Sequence, residues 1–320
     1  MLQRLQHFDP IGTLVFMPTI VCLLLALQWG TTTYSWSDGR VVSMLAVAGV
    51  LFIAFAALQL LGRENAPVPP RILRQRTVWA CGSYSFCLGA AFFVLCYYIP
   101  MWFQAVQGVS AVDSGIRNLP MLISVVAASM AAGAVVSWLG YYAPFMVAGT
   151  AAMSAGAGLL VLFEPNTGPA AWIGYQLLVG AGVGFGMQQP LMAVQTVLGS
   201  HDVATGTSVI NFLQTLGGAL FVSIAQAVFN DRLVRDLSDA IPGLDPARVL
   251  ASGATNIRHA VAPEHVPQVV ESYNRALVGT FLVAAGLAAA TAFGAAAVEW
   301  KSVKGEKKKA ETAAAATTGV

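Results

Sequence analysis

The feature that most constrains this chain is the placement of its charged residues, which fall between long apolar runs and never inside them. A helix needs about 20 apolar residues to cross a hydrocarbon core about 30 Å thick. The sequence has eight apolar runs of about this length: Ile11–Gln28, Val41–Leu61, Val78–Ile99, Leu119–Leu139, Pro144–Phe163, Ala171–Val197, Thr205–Phe229 and Ala276–Val298. This pattern predicts an all-α polytopic membrane protein with about eight transmembrane helices.

Composition agrees with a chain whose surface faces lipid. Only 10% of the residues are charged and 57% are hydrophobic, whereas a soluble globular domain carries about 25% charged residues. A water-soluble fold would have too few charges to cover its surface. The first run follows Arg4 and could act as a signal anchor. It ends at Gln28 and Trp29 rather than at a small-residue cleavage site, so a retained helix is expected.

The basic residues predict an orientation. One group, Arg63, Arg71, Arg74 and Arg76, lies between the second and third runs, and another follows the eighth run: Lys301, Lys304, Lys307, Lys308 and Lys309. If all eight runs cross, both groups share a side, and the positive-inside rule places that side and both termini in the cytoplasm. The lysine tail could contact anionic lipid, or it could serve as a solvated flank of the last helix.

The spacing of the runs predicts five segments along the chain. They are a cytoplasmic linker (1–10), an extra transmembrane helix pair (11–62), a basic, proline-rich cytoplasmic loop (63–76), a six-helix domain (77–298) and a lysine-rich cytoplasmic tail (299–320). Within the six-helix domain, a long outer loop is expected at 230–275, with short amphipathic helices on the membrane surface. The end of the tail is expected to be disordered, because it is rich in alanine and threonine.

A glycine-rich stretch, "LLVGAGVGFGMQQP" (Leu177–Pro190), lies inside the sixth run. Its glycines alternate with other residues: Gly180, Gly182, Gly184 and Gly186. A dinucleotide-binding loop would need a glycine where Phe185 stands. On a helix, the first and third glycines share a face, as do the second and fourth, and these GxxxG pairs predict close contact with another helix. Pro190 removes a backbone donor and predicts a kink.

Polar side chains on the later runs predict a cavity. Residues of the seventh run form one stripe at helical spacing: Thr207, Asn211, Gln214, Thr215 and Gly218. Polar groups are costly against lipid, so this stripe should face protein or water, although hydrogen bonding between helices would also explain it. The candidate substrate-cavity residues are Tyr84, Tyr97, Gln176, Gln188, Gln189, Asn211, Gln214 and Thr215. The candidate helix-packing residues are Gly180, Gly182, Gly184, Gly186, Gly217 and Gly218, for which simple packing within a bundle is the alternative to a moving contact beside the cavity.

Enzyme and metal chemistry are not indicated. The histidines are scattered through loops, and the cysteines lie inside apolar runs without a C-x-x-C pair: His7, His201, His259 and His265, and Cys22, Cys81, Cys87 and Cys96. The segment "SHDVATG" (Ser200–Gly206) is interpreted as a turn in which Asp202 caps the next helix. No catalytic site, metal, cofactor or nucleic-acid partner is expected.

Several segments resemble the second half of fourteen-helix drug:proton antiporters of the major facilitator superfamily. They are "YYIPMWFQAVQGVSAVDSGIRNLP" (Tyr97–Pro120), "WIGYQLLVGAGVGFGMQQPLMAVQTVL" (Trp172–Leu198) and "LQTLGGALFVSIAQAVF" (Leu213–Phe229). They look most like fungal members that export toxins and other secondary metabolites. The beginning, Phe8–Gly30, resembles the start of the extra helix pair between the two six-helix domains of this branch. "IPGLDPARVLASGATNIR" (Ile241–Arg258) resembles its outer loop before the last helix.

The resemblance implies part of an efflux pump for small amphipathic molecules, driven by the proton gradient, in which two halves rock around a site near mid-membrane. In that family a first six-helix domain precedes the linker at which this chain begins, and it holds the antiporter signature. The turn "WLGYYAP" (Trp138–Pro144) lacks the basic residues of the related family loop. A truncated, non-transporting protein or a half-transporter that needs a partner half is the alternative. A plasma-membrane protein is expected, with a vacuolar or vesicle membrane as the alternative.

Overall fold

The computed structural model describes residues 10–32, 34–61, 70–199, 201–241, 244, 246–255, 257 and 261–304. Some expectations fall on other residues. The proline-rich stretch at 63–69, His7, His259, and the lysines and disordered end of the tail beyond residue 304 all lie outside the described part of the chain.

Helices make up nearly all of the described structure. In chain order they are α1 (Pro10–Thr32), α2 (Gly39–Leu61), α3 (Pro70–Leu73), α4 (Arg76–Ala105), α5 (Ala111–Arg117), α6 (Leu119–Leu139), α7 (Ala143–Leu160), α8 (Pro169–Met187), α9 (Gln189–Val197), α10 (Val203–Ala240), α11 (Pro246–Ser252) and α12 (Val266–Ala297). A short 3₁₀ turn, Pro263–His265, leads into α12.

Among the described residues, seven helical segments are long and apolar enough to cross a membrane. They are Gly39–Leu58, Arg76–Ala105, Ala111–Leu139, Ala143–Leu160, Pro169–Val197, Val203–Ala240 and Pro263–Ala297. Helix α1 adds a shorter apolar segment, Leu14–Gly30. These segments follow the predicted runs in order, which confirms an all-α, multi-pass membrane protein.

Helix α10 extends well beyond the end of the seventh predicted run. It has 38 residues and ends at Ala240 rather than near Phe229, so at about 1.5 Å per residue it is longer than the hydrocarbon core is thick. Leu233 and Leu237 continue the buried face of Phe229 at intervals of one turn, and this burial keeps the helix intact. Because α12 also begins early, at Val266, the connection between the two helices is shorter than the predicted 230–275 loop.

Helix α4 is the centre of the bundle. It packs along both α10 and α12, while α8 lies against α6 and α7, and α7 also packs on α12. Three large α4 side chains, Tyr84, Tyr98 and Trp102, are fully buried. The α1–α2 pair attaches through Phe16, whose ring centroid lies 4.6 Å from Phe55 in α2 and 5.1 Å from Phe212 in α10.

Buried hydrogen bonds connect the helices where the core is polar. The indole Nε1 of Trp102 donates to Asn274 Oδ1 at 2.7 Å, and Asn274 Nδ2 donates to the Phe163 carbonyl at 3.0 Å. The hydroxyls of Thr150 and Thr291 lie 2.8 Å apart. A polar group buried away from water needs such a partner, so these contacts fix how α4, α7 and α12 meet.

Candidate functional site

The glycines of α8 bring its backbone against α6 on one face. A Cβ atom at Gly180 would meet the carbonyl oxygen of Met121, and one at Gly184 would meet that of Val125. The close approach lets two α6 hydroxyls reach the α8 backbone. Ser124 Oγ donates to the Leu177 carbonyl at 2.7 Å, and Ser129 Oγ donates to the Gly184 carbonyl at 3.1 Å. The first GxxxG pair of α8 therefore faces α6.

The other two glycines of α8 face different helices. A Cβ atom at Gly182 would meet the backbone of Met153 in α7, and one at Gly186 would meet the Tyr84 hydroxyl of α4. Gly149 of α7 is also close, because a Cβ there would lie 2.8 Å from the Gly182 carbonyl oxygen. Alternate glycines thus let the α8 backbone contact three helices.

The helix is interrupted next to this contact. Helix α8 ends at Met187 and α9 begins at Gln189, with Gln188 between them. Pro190 has no amide hydrogen to donate to the preceding turn, which accounts for the break. The interruption leaves Gln188 exposed and Gln189 fully buried.

Helices α4 and α10 also meet through glycine. A Cβ atom at Gly217 would meet the Phe86 carbonyl, and one at Gly218 would meet the ring of Phe93. On the other side, Gly89 of α4 lies against the backbone of Gln214. The two helices therefore pack backbone to backbone at the level of the polar stripe.

An exposed surface, which we call the α4–α10 face, is formed by Phe93, Tyr97, Asn211 and Thr215. Phe93 lies on Gly218, Tyr97 follows one turn along α4, and Thr215 and Asn211 precede Gly218 on α10. The Tyr97 side chain is 51% exposed. The Thr215 hydroxyl donates to the Asn211 carbonyl of its own helix at 3.0 Å. This face offers aromatic and neutral polar groups within the apolar runs of the two helices.

The structure separates the eight candidate cavity residues. Tyr97, Gln188, Asn211 and Thr215 are exposed, and Gln214 is half-buried; Tyr84, Gln176 and Gln189 are buried. The Tyr84 hydroxyl donates to the Met146 carbonyl at 3.3 Å, inside the bundle. Gln176 Nε2 donates to the Arg117 carbonyl at 3.0 Å, next to the start of α6. The side chains of Tyr84 and Gln176 therefore hydrogen-bond to other helices inside the protein.

One polar cluster was missed by the sequence analysis. The Tyr98 hydroxyl donates to Gln226 Oε1 at 3.1 Å, and Gln226 Nε2 donates to Asn230 Oδ1 at 2.8 Å. The signal was present, since Gln226 and Asn230 are one turn apart on a mainly apolar helix. Gln226 lies inside the predicted seventh run, but its partner Asn230 lies beyond the end of that run at Phe229, so the pair was not recognised.

The interpretation of Asp202 as a helix cap was wrong in its chemistry. Asp202 stands before α10, but its side chain makes no capping hydrogen bond. Its carboxylate instead pairs with the Arg71 guanidinium, at 2.9 and 3.0 Å. A charged donor is a stronger partner than a backbone amide, and the pair ties α3 to the α9–α10 turn.

Comparisons with known proteins agree with one another. The aspyridones efflux protein of Neocamarosporium betae is 52% identical over 314 residues, covering 98% of this chain and 56% of that protein. The MFS-type transporter astH of Aspergillus oryzae is 47% identical over 304 residues, covering 95% and 54%. The efflux pump aunC of Aspergillus niger is 48% identical over 299 residues, covering 93% and 57%. The chain spans little more than half the length of these curated relatives, and no protein-family model matches it.

A solved structure has a similar fold. The bacterial homolog of the human lysosomal transporter Spinster, in an inward-facing and occupied conformation, matches with a TM-score of 0.52 over 92% of this chain and 63% of that one. The two sequences are 17% identical, so this likeness concerns the fold alone.

Proposed function

This chain belongs to the major facilitator superfamily, as do its MFS-type relatives among fungal transporters, and from that premise we propose that it is the C-terminal part of an efflux transporter. In this proposal α1 and α2 are the extra helix pair, and α4 to α12 form the C-terminal six-helix domain. The superfamily consists of transporters rather than enzymes.

The observation that carries the proposal is the α4–α10 face. It presents the Tyr97 phenol, the Asn211 amide and the Thr215 hydroxyl from within the apolar runs of α4 and α10. Aromatic and neutral hydrogen-bonding groups suit a small amphipathic organic substrate that partitions into membranes. One relative is an aspyridones efflux protein, and secondary metabolites of that kind are molecules that such a face could bind.

A second six-helix half is proposed to cover this face. Helix α6 supports the idea, because it buries one stripe against α8 and leaves its other sides exposed; the stripe consists of Met121, Ala128, Ala132 and Val136. Unpaired amides such as Asn211 are unfavourable against lipid, by about 0.6–2 kcal/mol for each lost hydrogen bond between helices. The curated relatives contain further residues outside the part that matches this chain, and those residues could form such a half.

Proton coupling and location follow from the same proposal. The apolar runs contain no acidic residue, so a coupling carboxylate would lie on the partner half. We place the transporter in the plasma membrane, with a vacuolar or vesicle membrane as the alternative, and both termini in the cytoplasm on the basis of the basic loops.

Efflux of a fluorescent substrate tests the proposal. Cells expressing residues 1–320 alone should show no proton-driven efflux, and supplying an N-terminal half from a full-length relative should restore it, at verified membrane levels. A protonophore should abolish the restored efflux. Uncoupler-sensitive export by the 320-residue chain alone would refute the need for a partner half.

A matched pair of variants tests the face itself in the restored transporter. Thr215→Val with Asn211→Leu should reduce efflux, because both polar groups are removed at similar size. Ser137→Ala is the control, since this α6 hydroxyl also bonds only to its own helix, at the Gly133 carbonyl. Equal effects of the two changes on efflux would show that the α4–α10 face does not contact the substrate.

A further inference from the structure

Residues Val298–Lys304, which we call the strap, run from the end of α12 along the turn between α6 and α7. The Val303 amide donates to the Gly140 carbonyl at 2.9 Å, and Ser302 forms an antiparallel bridge with Tyr141. The Tyr142 hydroxyl donates to the Glu299 carbonyl at 2.6 Å. Backbone and side-chain contacts thus fix the strap at one end of the bundle.

Cations from the strap and from the start of α4 lie at helix ends that have no cation of their own. Neither α6 nor α12 carries a basic residue in its last turn. Lys304 Nζ donates to the Trp138 carbonyl at the end of α6, at 2.7 Å, and Arg76 Nε donates to the Ala297 carbonyl at the end of α12, at 2.9 Å. Cations are favourable at helix C-termini, so these positions are electrostatically stable.

One carboxylate offsets part of this charge. Lys301 Nζ lies 2.8 Å from Glu299 Oε2, and its hydrogen bond holds the pKa of Glu299 below its usual value, so the acid stays ionised. Glu299 offsets one of the three positive charges of Arg76, Lys301 and Lys304. Each lysine has three N–H donors and the arginine has five, so all three have donors left for a further ligand.

Exposed aromatic residues lie on the strap, at the end of α6 and on the α6–α7 connection that the strap contacts. The side chain of Trp138 is 75% exposed, that of Trp300 is 64% exposed and that of Tyr141 is 46% exposed. Tryptophan and tyrosine favour the headgroup level of a membrane. The strap lies at the ends of α4, α6, α7 and α12, all of which belong to apolar spans. If these spans cross the bilayer, the cations at their ends lie near the headgroup region.

We propose that Arg76, Lys301 and Lys304, together with the rings of Trp138 and Trp300, bind the headgroup of an anionic phospholipid. The net positive charge favours an anionic headgroup over a zwitterionic one, whose own cation lies next to its phosphate. The strap thereby supplies the positive charge that the Trp138–Pro144 turn itself lacks. This site depends on the membrane position of the bundle and is independent of transport.

The indoles of the site can report its occupancy. The full chain is reconstituted in phosphatidylcholine nanodiscs containing phosphatidylglycerol, with bromine on the acyl chains of one lipid or the other. At equal mole fraction, brominated phosphatidylglycerol should quench tryptophan fluorescence more strongly than brominated phosphatidylcholine. Trp138→Phe with Trp300→Phe should abolish that preference.

Charge variants distinguish binding at this site from a general attraction between anionic lipids and the basic residues of the protein. Lys301→Gln with Lys304→Gln should lose the preference, and Lys301→Arg with Lys304→Arg should keep it. Arg40→Gln is the matched control, because Arg40 also adjoins an aromatic side chain, with its guanidinium 4.9 Å from the Tyr34 ring, but lies outside the strap. Equal quenching by the two lipids in the unmodified chain would overturn the proposal, as would a preference that survives the glutamine variant. Reversal of the preference by added inorganic phosphate would assign the site to a soluble anion instead.

Discussion

At the residue scale, Gln188 and Gln189 have opposite environments although they are neighbours. Gln188 is exposed at the interruption between α8 and α9, whereas Gln189 is 0% exposed. Within the described part of the chain, neither amide atom of Gln189 has a hydrogen-bond partner. An unpaired buried polar group costs about 1–3 kcal/mol. The unpaired amide of Gln189 therefore lowers the free energy of unfolding. Such buried unpaired groups are common where a protein changes conformation or binds a ligand.

Replacing Gln189 should reveal that cost. Gln189→Met removes both unpaired polar atoms at similar volume, so the free energy of unfolding should rise by about 1–3 kcal/mol. Gln188→Met, at the exposed neighbour, should change it by less than about 0.5 kcal/mol. Thermal unfolding in detergent measures both. A loss of stability in the Gln189 variant would mean that its amide has a partner in the membrane protein.

At the scale of elements, the glycines of α8 let its backbone approach three neighbouring helices. Gly184→Leu should destabilise the bundle by more than about 3 kcal/mol, because the side chain would force α8 away from the Val125 carbonyl and the Ala128 side chain of α6. Gly174→Leu is the control on the same helix, since a Cβ there meets nothing within 4 Å.

Thermal stability and the monodispersity of the purified protein measure this difference. The glycine spacing is a packing feature if the Gly184 variant fails and the Gly174 variant survives. Normal expression and normal unfolding of the Gly184 variant would contradict close contact between α8 and α6.

At the scale of the whole molecule, the ends of the bundle differ in charge, and this predicts the orientation. Gly199 lies in the turn after α9, and Asn166 lies in the turn between α7 and α8. If successive spans cross the membrane in alternate directions, these two turns lie on opposite sides of it. A membrane-impermeant maleimide added outside intact cells should label Asn166→Cys and miss Gly199→Cys. The native cysteines lie within apolar segments, and labelling of the unmodified chain measures their contribution to the signal. The reverse labelling would place the basic loops outside.

The sequence by itself determined the spans and the contact-forming faces. Charges are excluded from hydrocarbon and a span needs a minimum apolar length, so the eight runs could be counted from the chain alone. Helical periodicity likewise placed Gly180 with Gly184 and predicted the break near Pro190. The end of α10 was missed because Leu233 and Leu237 continue the helix among charged residues, beyond the apolar run.

Only the tertiary structure decided which surfaces meet. Tyr84 and Tyr97 lie on one helix and have similar sequence contexts. Tyr84 is nevertheless buried where Gly186 leaves room for its ring and Gly294 for its Cα and Cβ atoms, whereas Tyr97 remains exposed. Asp202 likewise pairs with Arg71, which is distant in the sequence, instead of capping its own helix. Periodicity within a helix sets which residues share a face, because 3.6 residues make a turn. The neighbour that covers a face depends on how the other helices pack, and no local pattern records that.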